Sequence, residues 1–77
     1  MQKIKLLWDF RGPNAKKIAN HHLKHLKDFF KVEDKKLFES GIKKENEFHH
    51  ISFVVILNKD LKSVKLNLKP NRGQKVK

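Results

Sequence analysis

Five histidines and one Asp/Arg pair are the residues of this 77-residue chain whose types and spacing could do chemistry. His21 and His25 are four apart, the spacing that puts two imidazoles on one side of a helix and lets them chelate a transition metal. His22 lies between them and falls on a different side. His49 and His50 are adjacent, so in an extended segment they point to opposite faces. Asp9 and Arg11 flank Phe10, where a carboxylate and a guanidinium could frame a small anion or simply cap a turn. Two chemistries are open: a metal centre, or a general acid/base centre built on His22 and His49. No Cys accompanies the His, and no His-Glu-x-x-His run is present. Ser40, Ser52 and Ser63 carry no nucleophile-elbow motif. The plain alternative is that His22 and His49 are core imidazoles bonded to backbone or to each other.

The elements that must position these groups follow from periodicity. Residues 3–10, KIKLLWDF, alternate, with Ile4, Leu6, Trp8 and Phe10 on one face, which predicts a half-buried strand. Gly12, Pro13 and Asn14 break it, and Asn14 is a good N-cap. Over residues 15–32, Ala15, Ile18, Ala19, His22, Leu23, Leu26, Phe29 and Phe30 form one wide apolar stripe, which predicts a helix with His22 turned inward. Residues 37–45 read as a weaker strand with Gly41 inside it. Residues 48–57, FHHISFVVIL, are apolar on both faces and predict a central strand. Residues 59–69 read as a short helix ended by Pro70, with Asn58 or Asp60 as its cap.

The resulting order is β-α-β-β-α in a single α+β domain over residues 1–70, followed by a basic flexible tail, 71–77. A right-handed crossover leaves a gap that the next strand fills, giving a three-stranded antiparallel sheet in the order 1-3-2 with both helices on one face. This is a ferredoxin-like unit lacking its last strand. On this reading His49, Ile51, Phe53, Val55 and Leu57 lie under the helices and His50, Ser52, Val54 and Ile56 on the open face. His22 and His49 then converge inside, and Asp9 meets His50 outside. The first strand is left as an open edge, and a chain this short without Cys gains core by association. A homodimer is the expected state.

Charge adds a third candidate function. The formal net charge is +11, with 19 Lys+Arg against 8 Asp+Glu, and only Arg11 and Arg72 are Arg. Residues 59–77 hold seven of the basic residues and a single acid. Lys62, Lys65, Lys69 and Arg72 are spaced to form a cationic stripe that could follow a phosphate backbone or sit on an anionic membrane, and Lys75 and Lys77 extend it. Near this stripe no aromatics interleave with the Lys, as they do in single-strand binders. The longest apolar run is too short to span a bilayer and no apolar leader opens the chain, which predicts a cytoplasmic protein.

The stretch WDFRGPNAKKIANHHLKHLKDFF resembles the opening of a group of small bacterial proteins that begin with a WDFRGP-type strand and turn and run into a His-rich helix. The ISFVVIL strand and the LKPNRG ending extend the similarity over most of the chain. The resemblance implies a shared fold and a shared His site, and carries no activity. The expected function is thus a small binding or interaction module with a His-lined site. A metal-binding or acid/base enzyme, and a nonspecific nucleic-acid binder, stand as alternatives.

Overall fold

The computed structural model describes residues 2–76. It contains β1 (Lys3–Arg11), α1 (Ala15–Val32), β2 (Leu37–Asn46), β3 (His49–Leu57), a 3-10 turn (Asn58–Asp60), α2 (Leu61–Leu68) and β4 (Arg72–Lys75). The sheet has four strands, not three, in the order β2-β3-β1-β4, and every neighbouring pair is antiparallel. Residues read from sequence as a flexible tail therefore supply the fourth strand, and Lys77 lies outside the described residues. Arg-Gly-Gln-Lys carries no apolar signal, so β4 is invisible to periodicity. It is held instead by its ladder with β1, Ile4 opposite Lys75 through Leu7 opposite Arg72. The β1 edge that called for a second copy is thereby occupied.

Helix α1 forms where its stripe predicts. Ala15, Ala19, Leu26 and Phe30 are buried against the sheet. Asn14 occupies the N-cap position, but its side chain makes no capping bond; its carbonyl accepts from the Ile18 amide at 3.0 Å. Asp60 likewise precedes α2 without capping it. Gly12, with φ +114°, makes the turn between β1 and α1, and its amide donates to the Phe48 carbonyl at 2.8 Å. A residue with a Cβ would be strained there. Lys69 takes the left-handed conformation at the end of α2 (φ 48°) and turns the chain back toward β1.

Leu6, Trp8, Leu26, Phe30, Val54, Ile56 and Val64 form the core, so both helices pack on one sheet face. This reverses the expected facing of β3. In the antiparallel register Leu6 stands opposite Val54, Trp8 opposite Ser52 and Phe10 opposite His50. Directly opposed residues share a face. Since Leu6 and Trp8 face the helices, Val54, Ile56, Ser52 and His50 must do so too. His49, Ile51, Phe53, Val55 and Leu57 take the uncovered face. Because β3 is apolar on both sides, its own sequence could not choose.

Polar groups secure the helix-covered layer. Trp8 Nε1 donates to the Leu68 carbonyl at 2.8 Å, satisfying one of the carbonyls at the end of α2. Ser52 Oγ donates to the Ala19 carbonyl at 2.9 Å. Among the described residues no helix is long and apolar enough to cross a membrane. Because Leu26 is fully buried in this core, Leu26→Ala is expected to cost about 2–5 kcal/mol in urea unfolding. Leu66→Ala, at a site 75% exposed, should stay within about 0.5 kcal/mol. Equal effects at the two sites would contradict this core.

Candidate functional site

His22 and His49 do not converge. His22 sits between α1 and β1, its ring 5.3 Å from that of Trp8 and 5.2 Å from that of Phe10. His49 lies across the sheet on the opposite face, so the internal His22/His49 centre is not formed. His50 is the imidazole buried under the helices, and His49 is the one that meets Asp9. Among the described residues no group of three or more His, Cys, Asp or Glu side chains is placed to hold a metal ion. Burial lowers the His22 imidazole below its ordinary 6.5, and the His25 charge lowers it further. His22 Nε2 and His50 Nδ1 are buried without a hydrogen-bond partner among the described residues. His21 and His25 remain exposed on α1, with their Nε2 atoms 3.0 Å apart.

Asp9 is the hub of the uncovered face. Its Oδ1 accepts from His49 Nε2 at 2.8 Å and from Arg72 Nη2 at 2.9 Å. Its Oδ2 accepts from Arg72 Nε at 3.1 Å. Its backbone amide donates to Asn71 Oδ1 at 2.9 Å, while the Asn71 amide donates to the Leu7 carbonyl at 2.9 Å. Burial by itself raises the Asp9 carboxyl. The hydrogen bonds from His49 and Arg72, with the charges behind them, outweigh burial and hold it below its ordinary 3.8. One carboxylate thus joins β3, β1 and β4 by charge-assisted bonds. Arg11, the other half of the expected anion frame, is exposed and forms no side-chain hydrogen bond or ion pair among the described residues. The pair does not enclose a ligand.

Around this hub the uncovered face is basic and aromatic. One cross-strand row runs Gly41, Phe53, Leu7, Arg72 through all four strands. Alternation places Lys3, Lys5, Arg11, Lys43 and Arg72 on this face, against Asp9 and Glu39, and Lys43 Nζ pairs with the Glu45 carboxylate at 3.1 Å. Lys5 Nζ stands 4.4 Å from the Phe53 ring centre, and Lys3 Nζ 4.3 Å from that of Phe38. Lys36 Nζ also approaches Phe38, at 5.6 Å. A Cβ on Gly41 would fall 3.0 Å from two Phe53 ring carbons. The glycine therefore lets the ring lean across β2 rather than stand away from the sheet. Beneath these side chains Leu7, Ile51, Val55 and Leu57 are almost fully covered. The aliphatic stems of the Lys and Arg residues provide such cover while their charges stay in water.

The interleaving of Lys with aromatics judged missing near the C-terminal stripe is thus present on the sheet. It escaped the sequence because it needs the facing of β3 and the bulge between Leu37 and Glu39, which frees Phe38 from strict alternation. The C-terminal stripe itself is shorter than its spacing suggests. Lys62, Lys65 and Lys69 line one shallow depression with Leu66. Arg72 does not extend it, because its guanidinium is folded onto Asp9. Comparison with family models, curated proteins and solved structures finds no match for the chain.

Both perturbed groups link stability to pH in the same direction. Below about 6.5 the unfolded chain protonates His22 more readily than the folded chain does, so stability present at neutral pH is lost as pH falls through that window. A second loss follows as pH drops below the ordinary 3.8 of Asp9. Urea unfolding across pH 7.5 to 3 should show both losses. His22→Leu should flatten the first and Asp9→Asn the second; a stability unchanged between pH 7 and 5 would contradict the first.

Proposed function

We propose that this chain is a binding module that holds single-stranded nucleic acid across its uncovered sheet face. The observation that carries the reading is the Phe53 ring, leaning over Gly41 with the Lys5 ammonium beside it. A base can take the place of the ammonium on that ring, since every base offers a π-face. The freed Lys5 then reaches the neighbouring phosphate. Phe38, with Lys3 and Lys36, repeats the arrangement at the edge. Stacking contributes about 1–3 kcal/mol per base, and the surrounding Lys and Arg supply the salt-sensitive part. Paired bases bury their π-faces in the duplex, so this surface favours single strands.

The strand order β2-β3-β1-β4, with α1 after β1 and α2 after β3, supports reading the chain as a complete ferredoxin-like unit rather than one lacking its last strand. That removes the open β1 edge from the argument for a homodimer. The remaining edges are a charged β2 and a four-residue basic β4, features that discourage strand-to-strand pairing. We also read Asp9 and His49 as a clamp rather than an acid/base pair, because Arg72 occupies the same carboxylate. The Lys62, Lys65 and Lys69 depression lacks an aromatic platform and is the weaker candidate for a nucleic-acid contact.

Fluorescence anisotropy with a labelled single-stranded oligonucleotide tests the proposal. Phe53→Ala should weaken binding about tenfold or more, and Lys62→Ala/Lys65→Ala/Lys69→Ala should change it less. With about four phosphate contacts, raising salt from 50 to 200 mM should weaken wild-type binding about fifty-fold. A duplex bound as tightly as the single strand, or a Phe53→Ala variant that binds like wild type, would overturn the reading. Circular dichroism of Phe53→Ala separates loss of binding from loss of fold.

A further inference from the structure

The His21/His25 pair on α1 has no part in the sheet face, and its geometry suggests a separate use. Both side chains are exposed, so neither contributes to the core. Their rings lie 4.6 Å apart and nearly perpendicular, with the Nε2 atoms at 3.0 Å. In the metal-free chain one Nε2–H donates to the other Nε2.

Two imidazole nitrogens bound to one metal at about 2.0–2.1 Å and 3.0 Å apart subtend roughly 95° at it. That angle is close to the 90° of neighbouring positions in square-planar or octahedral coordination and well short of the tetrahedral angle. We propose that His21 and His25 form a cis-chelating site for Cu(II) or Ni(II), with water completing the coordination. Zinc, which prefers tetrahedral ligands, fits this spacing less well. Binding needs one proton relocation: the imidazole that donates through Nε2–H shifts its proton to Nδ1 by exchange with solvent. Both Nε2 lone pairs then face the metal, and neutral imidazoles release no net proton.

The charged neighbours follow from helical spacing. Asp28 lies seven residues beyond His21 and three beyond His25, on the same side of α1, and favours a cation there. Lys17, four residues before His21, and Lys24, three beyond it, oppose it. His22 turns inward against Trp8 and Phe10 and is not a ligand. The test is calorimetric titration of the tag-free chain with Cu(II) and Ni(II) at pH 7.4, read beside the electron paramagnetic resonance spectrum of the Cu(II) form. The expected result is one Cu(II) per chain with two equatorial imidazole nitrogens. His25→Gln should weaken binding by at least about tenfold, and His22→Gln and His49→Gln should leave it nearly unchanged. Zn(II) should bind more weakly than Ni(II). Equal Cu(II) affinity in wild type and in a His21→Gln/His25→Gln chain would overturn the proposal, as would Zn(II) binding tighter than Ni(II). Since both residues are exposed, an unchanged circular dichroism spectrum excludes misfolding as the cause of any loss.

Discussion

The Asp9 carboxylate is the interaction on which the uncovered side of this protein depends. It is a partly buried charge, and a buried charge is tolerated only when it is paired and hydrogen-bonded. His49 satisfies it from β3 and Arg72 from β4, with two guanidinium bonds on its two oxygens. Asn71 fixes the same residue through its backbone. Strand β4 has no buried residue of its own. Its place in the sheet rests on the ladder with β1, on Gly73 passing close to Ile4 and Leu6, and on this ion pair. The fourth strand, and with it a β1 flanked on both sides, therefore rests on backbone pairing and this ion pair more than on apolar burial.

That constraint shapes the surface that we assign to function. With β4 in place, β1 becomes an interior strand, and its outward Lys3, Lys5 and Arg11 are displayed on a face four strands wide. Apolar side chains at the centre of this face are shielded by Lys stems and by the Phe53 ring instead of by a third layer. The buried apolar residues of this face thus lie beneath a cationic, aromatic exterior. The helix-covered side holds the main core cluster, and the other side displays the cationic and aromatic side chains. Histidine chemistry is divided likewise. His22 and His50 belong to the covered layer, His49 to the Asp9 clamp, and His21 and His25 to the solvent side of α1.

Much of this was legible in the sequence, for definite reasons. Helix α1 could be bounded at Ala15 and Val32 because its apolar stripe is wide and its flanks are turn and charge. The inward turn of His22 followed from its place in that stripe. Strand β3 was recognisable as central because both its faces are apolar, and that same property hid which face met the helices. Only pairing with β1, whose Leu6 and Trp8 are unambiguous, decides it. Once the facing reverses, His49 and His50 exchange roles and the expected His22/His49 centre dissolves. Strand β4 was not legible because Arg72–Lys75 carries polar residues and a glycine. Gly41 looked like a weakness in β2, and its role became visible only with the Phe53 ring above it.

The measurement that bears most directly on the sheet-face assignment is an amide nitrogen–proton NMR titration of the chain with a short single-stranded oligonucleotide. Binding on the sheet face should give shifts concentrated at β1, β3 and β4 around Lys5, Phe53 and Arg72, with the largest ring-current changes beside Phe53. Shifts confined to Lys62 and Lys65 on α2 and to Lys69 at its end, or none at saturating oligonucleotide, would contradict it.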